Sequence, residues 1–254
     1  MGKKVLITGA SGFIAGHLIE ELSKEHPLVL VSRRELPYPF PRYSPEELER
    51  AFEVERPQVV VNTVGILKED GESTYERAHT EFTEKLVELA KRWGVEKFIQ
   101  ISALGTSPKE GSRYFKTKWQ AEELVRSSAI PHLILRPSIV LGEGQKLYED
   151  LRKLSRFLPL LAAPKMKVQP VRVERVVEAV KKGIECKLTG MVELCGDRVM
   201  SMKELFKEVL EELGIRRFVV ELPKPLLLPV ALLGLFGLDL EQYKMIKDNT
   251  CKEV

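Results

Sequence analysis

Apolar residues fall into short runs separated by amphipathic stretches, and this alternation sets the expected fold. "KKVLIT" (Lys3 to Thr8) is a β-branched run ended by glycine, the pattern of a parallel strand buried on both faces. "LVLVS" (28–32), "VVVNT" (59–63), "KFIQIS" (97–102) and "HLILRP" (132–137) repeat it, the last stopped by proline. Between them, Phe13 to Glu25 puts Ile14, Leu18, Ile19 and Leu22 on one helical face. Ser44-Pro45-Glu46-Glu47 starts another helix, with capping-box spacing and proline at the first helical position. Helices from about Thr74 to Trp93, before Gly94, and from Arg113 to about Ser127 complete the series. Strands alternating with helices predict an α/β fold: a doubly wound parallel sheet with right-handed crossovers. Between Ser32 and Ser44 there is room only for a short strand or a loop in place of a full third strand.

After Gly142 the pattern changes. Helices are expected at Lys146 to Phe157, Val173 to Lys182 and Ser201 to Leu213, the last with a Ser201/Glu204 capping box and a stop at Gly214. Short strands are expected at Val168 to Val171, Val192 to Leu194 and Phe218 to Glu221. The expected organisation is a doubly wound, Rossmann-type domain over 1–142 and a smaller α+β region over 143–254, discontinuous with and packed on the first. "KPLLLPVALLGLFGLDL" (224–240) is the most apolar stretch, interrupted by proline and glycine and shorter than the roughly 20 residues of a membrane span. Three readings stand: a helix packed on the domain or in a protein interface, contact with a membrane surface or membrane complex, and spanning.

Candidate chemistry begins at the first strand. "TGASGFIAG" leads straight from strand to helix; Gly9 allows the turn and Gly12 lets the backbone approach a pyrophosphate at the helix N-terminus. Ala15 or Gly16 supplies the small residue for close helix–strand packing. A purely structural turn is the plain alternative. At the end of the second strand, where an NAD site carries an acidic residue, stand Ser32, Arg33 and Arg34. Two guanidiniums can grip a 2′-phosphate, so NADP(H) is the expected cofactor. Glu35 leaves NAD(H) open, and a solvated arginine pair is the plain alternative. Tyr114 and Lys118, four apart on a helix, lie on one face, where an ammonium lowers a phenol pKa. The same spacing also arises by chance at a surface.

Composition narrows the class. The chain has 254 residues, 44% hydrophobic and 30% charged, which fits one large α/β domain or one domain with an appendage. A net charge of +3 gives no nucleic-acid footprint. Cys186, Cys195 and Cys251 form no C-x-x-C pair, so neither a disulfide framework nor a zinc site is expected, and a reducing cytoplasmic interior is the default. The N-terminus does not read as a signal peptide. Asparagine occurs only at 62 and 249 while Lys and Glu abound, a balance that leans toward a thermophile.

"TGASGFIAG", "VVNTVG" (60–65), "FIQISALG" (98–105), "YFKTK" (114–118), "LRPSIVLG" (135–142) and "VQPVRVERVVEAV" (168–180) together resemble the short-chain dehydrogenase/reductase superfamily, in its extended or atypical branch. The resemblance covers nearly the whole chain and is strongest to the group holding the NAD(P)-binding accessory subunit of respiratory complex I. "RPQVVVNTVG" also resembles dTDP-4-dehydrorhamnose reductases. The resemblance implies Tyr114 as general acid/base, Lys118 as its tuner and ribose anchor, and Ser102 as the hydroxyl that orients a carbonyl. Where relatives carry a second hydroxyl this chain has Ala103, and Thr106, Ser107 or Ser112 are the other candidate donors. His79 replaces a structural asparagine, either as a satisfied buried histidine or as part of a proton relay.

The candidate cofactor set is therefore Gly9, Ser11, Gly12, Phe13 and Ile14; Ser32, Arg33 and Arg34; Thr63, Val64 and Gly65; Ile101, Tyr114 and Lys118; and Arg136, Pro137, Ser138 and Ile139. Arg136-Pro137 is either at the substrate crevice or structural. Two functions follow. One is an NADP(H)-dependent oxidoreductase or epimerase. The other is a non-catalytic NADPH-binding accessory or redox-sensing subunit docked through 224–240 on a larger complex or on the inner face of a membrane. The superfamily also implies a possible homodimer through the helices near 74–93 and 113–128.

Overall fold

A computed structural model describes residues 2–109, 111–235 and 238–251. The chain forms two compact units, one of residues 1–137 and 173–194, the other of 138–172 and 195–254. The first unit runs β1 (Val5–Thr8), α1 (Phe13–Leu22), β2 (Leu28–Val31), the two-residue β3 (Arg42–Tyr43), α2 (Leu48–Glu55) and β4 (Val59–Asn62). A π-helical turn, Glu76–Glu81, leads into α3 (Phe82–Arg92), followed by β5 (Lys97–Ile101), α4 (Arg113–Arg126) and β6 (His132–Pro137). The second unit takes over with β7 (Val140–Leu141), α5 (Lys146–Phe157), β8 (Leu160–Pro164), β9 (Lys167–Val168) and β10 (Val171–Arg172). The chain returns to the first unit for α6 (Val173–Ile184) and β11 (Gly190–Leu194). It ends in the second with β12 (Met200–Ser201), α7 (Met202–Glu212), β13 (Phe218–Leu222), α8 (Leu228–Leu232) and α9 (Leu240–Met245).

The seven-stranded sheet has order β11-β6-β5-β4-β1-β2-β3, and its neighbours pair in parallel. Every residue of β1, β2, β4 and β5 is buried, which is why these strands read as mainly apolar runs, with Asn62, Lys97 and Gln100 the buried polar exceptions beside Thr8. One sheet face packs Leu6, Val60 and Phe98 against Phe52, Leu86 and Ala90 of α2 and α3. The strand order reverses between β1 and β4, so the β1 and β4 tips open the crevice where ligands bind in such sheets.

The expected boundary after 142 is corrected. The first unit stops at Pro137 and reclaims α6 and β11, because β11 extends the sheet beside β6 and pairs Gly190 with Leu133. A strand that becomes the sheet edge only after a long excursion leaves no mark in local sequence. The expected strand over 168–171 is split into β9 and β10, and β8 was not foreseen. Both capping boxes form, at Ser44/Glu47 and Ser201/Glu204. The 224–240 stretch is not one helix: a 3-10 turn, Lys224–Leu227, is followed by the short α8, and Phe236 and Gly237 lie outside the described residues.

The cysteine expectation is also corrected. Cys195 and Cys251 form a disulfide across 56 residues. It staples the end of the chain, where Asn249 pairs with Val168 and its side chain accepts the Ser138 hydroxyl proton (2.6 Å). Pairing between distant residues is invisible to a search for local Cys spacing. Cys251→Ser is expected to lower unfolding free energy by about 2–4 kcal/mol, by releasing loop-closure constraint on the unfolded chain. Urea melts of the variant against wild type check this.

Candidate functional site

Gly9 has φ +68, and a Cβ there would lie 2.9 Å from Thr63 Oγ1 and 3.2 Å from the Val64 amide. Only glycine fits that turn, which lets β1 and β4 end side by side. Gly12 caps α1 with extended backbone, and no acidic residue stands in the first helical turn. The amide end of α1 is thus open to an anion. Ala15, fully buried, is the small residue under the turn.

A cavity of about 300 Å³ lies over this end. Of the expected residues, Gly9, Ser11 and Gly12 line it from the turn, Ser32 and Arg33 from the end of β2, and Thr63, Val64 and Gly65 from the end of β4. Phe13, Ile14, Arg34, Ile101, Ser102, Tyr114, Lys118, Arg136 and Pro137 belong to the same unit but do not line it, and Ser138 and Ile139 belong to the second unit. Residues not foreseen also line it, notably Ser73 and Arg77. Arg33 Nη1 donates to Ser73 Oγ (3.0 Å), and Arg77 Nη1 donates to the adjacent Glu72 carbonyl (3.1 Å). No motif marks Arg77; it reaches the cavity because the π-helical turn begins beside Thr74, whose hydroxyl accepts the Arg77 amide. Glu35 is paired with Arg42 (2.7 Å), and the Arg34 amide donates to Ser32 Oγ. A larger cavity, about 570 Å³, lies between α1 and α6, away from the glycine turn. Its rim is occupied by ion pairs such as Lys181–Glu25 and Lys182–Glu178.

Behind the β4 tip, buried Asn62 accepts from Thr8 (2.7 Å) and from the Val64 amide (3.2 Å), and donates to Gln100 (2.9 Å) and Thr83 (3.1 Å). This network pins the loop that forms one cavity wall. Lys118 Nζ donates to the Val64 and Ile101 carbonyls (3.2 and 3.3 Å), and a Cβ on Gly65 would fall 2.8 Å from it. Burial pushes Lys118 down to about 8, against the opposing pull of Glu122. The folded chain therefore gives up this proton earlier than the unfolded chain, and stability attributable to Lys118 rises with pH from about 8 toward the usual lysine range. Relative to Lys118→Met, wild type is expected to gain stability between pH 8 and 10, checked by denaturant melts across that window.

Tyr114 is buried among the rings of Tyr75, His79 and Phe115. The expectation that Lys118 lowers its pKa is corrected: burial, aided by Tyr75, holds the phenol well above its usual range, because desolvating a phenolate outweighs a lysine already bonded to two carbonyls. His79 Nε2 accepts the Ile66 amide (3.2 Å) and Nδ1 pairs with Thr117 Oγ1 (2.8 Å). Burial pushes it down to about 2, so the ring is neutral and satisfied.

Ser102 is bound up elsewhere. Its hydroxyl donates to Glu122 Oε1 (2.5 Å), while Thr106 Oγ1 donates to the Ala103 carbonyl (2.6 Å). Glu122, fully buried, also takes two bonds from Arg136 (2.8 and 2.6 Å) and one from Arg126 (2.5 Å). Arg136 is thus held by the helix beneath the site. Sequence reading missed Glu122, although its position one turn after Lys118 puts it on the same inward face.

Residues 5–175 match the model of the NAD dependent epimerase/dehydratase family, and the chain belongs to that family. It is similar to the mitochondrial NADH dehydrogenase (ubiquinone) 1 alpha subcomplex subunit 9 of Arabidopsis thaliana, 28% identical over 87% of this chain and 60% of that protein. The chain therefore spans less than two thirds of that relative's length. It is also similar to a ceramide reductase of Caulobacter vibrioides, 26% identical over 87% of this chain and 74% of that protein. Among solved structures, the Bordetella bronchiseptica enzyme WbmH in complex with NAD+ superposes with a TM-score of 0.74 at 18% identity, over 87% of this chain and 86% of that one. The Rossmann-type, NAD(P)-binding architecture expected from the alternating strands and helices is thus the fold of this chain.

Proposed function

We propose that the chain is an NADP(H)-binding member of its family in which Tyr114 acts as the proton donor of a carbonyl reduction. The observation that carries the cofactor choice is electrostatic: two arginines, Arg33 and Arg77, line the cavity against one carboxylate, Glu72, while Glu35 near the end of β2 is engaged by Arg42. The glycine cradle fits a pyrophosphate, since Gly9, Ser11 and Gly12 line the cavity and no acidic residue stands in the first turn of α1. When bound, the cofactor supplies hydride from nicotinamide C4. The chain holds the 2′-phosphate with Arg33, orients the ribose with Lys118, and keeps Tyr114 protonated at neutral pH, so that the phenol can give its proton to a developing alkoxide. Arg33→Glu is expected to weaken NADPH binding by about 10- to 100-fold, the value of a charge-assisted phosphate contact, with little change for NADH. Fluorescence titration of both cofactors checks this.

A second reading has a specific observation in its favour. Ser102 spends its hydroxyl proton on Glu122 and Ala103 has none, so a substrate carbonyl lacks the usual second donor. This favours a cofactor-bound accessory module that docks on a larger assembly through 224–240, at the inner face of a membrane. One experiment separates the readings: NADPH-loaded protein is mixed with a small-molecule extract of the source cells, and 340 nm absorbance is followed. Decay that requires the protein supports the reductase. Tight NADPH binding without decay supports the module.

A further inference from the structure

β8 and β13 form a two-stranded parallel sheet, with Phe218 beside Leu160 and Val220 beside Ala162. One face is packed: Leu161, Ala163 and Val219 lie in the core of the second unit with Leu205 and Val209 of α7. The other face should be polar by the usual alternation of a half-buried sheet. It is apolar instead. Leu160, Ala162, Phe218 and Val220 all point to solvent, with Phe218 79% exposed. Phe157, at the end of α5, is 84% exposed, and the Phe218 amide donates to the Pro159 carbonyl just beyond it. The chain then runs from Pro225 to Leu238 without a charged residue. Leu226, Leu232 and Leu233 of that run are exposed.

The unit that carries this face is net basic. The second unit carries 16 Lys and Arg against 13 Asp and Glu, so the whole net charge of +3 resides there. Arg152, Arg156 and Arg216 flank the two phenylalanines in sequence and are exposed. Arg217 ties its strand to α5 by donating twice to the Ser155 carbonyl (2.9 and 2.7 Å). Of the carboxylates on the neighbouring elements, Glu149 and Glu212 are paired with Lys153 and Arg172, while Asp150 of α5 and Glu221 of β13 add negative charge.

We propose that the outer face of the β8–β13 sheet, with Phe157 and its arginine rim, seats the protein on an anionic lipid bilayer surface. Exposed aromatic and aliphatic side chains enter the interfacial layer while arginines at the rim meet lipid phosphates. A second copy is a poorer occupant, because self-contact would bring the same arginines against each other. Among the described residues no helix is long and apolar enough to cross a membrane, which fits attachment at the surface. The inference does not rest on the cofactor reading.

The test is cosedimentation of the full chain with phosphatidylcholine vesicles with and without phosphatidylglycerol. Phe157→Ser/Phe218→Ser and Arg156→Glu/Arg216→Glu are run beside wild type. Wild type is expected to bind the anionic vesicles, with binding reduced about tenfold or more in each double variant and by high salt. All these side chains are exposed, so melting temperature and NADPH titration should match wild type and show that the variants are folded. Equal binding to neutral and anionic vesicles, or binding to neither, overturns the proposal. So does self-association without lipid that the phenylalanine variant abolishes, which would assign the face to a second copy.

Discussion

Tyr114→Phe is expected to lower protein-dependent NADPH oxidation by about 100- to 10,000-fold while leaving NADPH affinity within about twofold, the range for loss of one positioned proton donor. The reason lies in the burial of the phenol. Packed among Tyr75, His79 and Phe115 and held above its usual pKa, Tyr114 is neutral at working pH and can act as an acid in the reductive direction. Phenylalanine keeps the ring packing and removes only the proton. Lys118, on the same helix, bonds the Val64 and Ile101 carbonyls and holds the tips of β4 and β5 in place. A Tyr114→Phe variant that oxidises NADPH at the wild-type rate would remove Tyr114 from the chemistry. A variant that loses NADPH as well would place the tyrosine in binding rather than proton transfer.

Glu122→Gln is expected to reduce unfolding free energy by about 2–4 kcal/mol, the cost of leaving a largely buried guanidinium with only the more distant Glu193, 4.0 Å away, as counter-charge. Glu122 is fully buried and is the common acceptor for Arg136, Arg126 and Ser102. The Arg136 side chain is only 12% exposed, so water cannot replace the carboxylate. Glutamine keeps the volume, offers one carbonyl oxygen to three donors, and turns an amide against them. Chemical denaturation measures the loss, and a change below about 1 kcal/mol would show that the Arg136 charge finds another partner.

How far the chain could be read in advance follows from the range of each interaction. The sheet was legible because strands buried on both faces are mostly apolar, so Val5–Thr8, Leu28–Val31 and Val59–Asn62 stand out as runs, with polar Thr8 and Asn62 only at their ends. The glycine turn was legible because Gly9 meets a local demand, a positive φ against the Thr63 backbone. Long-range pairings were not. The Cys195–Cys251 bridge, the return of β11 to the sheet beside β6 and the convergence of Arg77 on the Arg33 cavity each join residues far apart in the chain. The sign of the Tyr114 shift was missed for a different reason. Spacing puts a lysine near a tyrosine, but only the fold says how deeply both are buried, and burial prevails here.

The most direct test of the account is a titration of wild-type protein with NADPH and with NADH under identical conditions, followed by nicotinamide fluorescence. The arginines at the end of β2 and in the π-helical turn predict NADPH binding at least about tenfold tighter than NADH, since one charge-assisted phosphate contact is worth that much. Equal affinity, or tighter binding of NADH, would contradict the assignment of Arg33 to a 2′-phosphate and with it the central reading of the cavity.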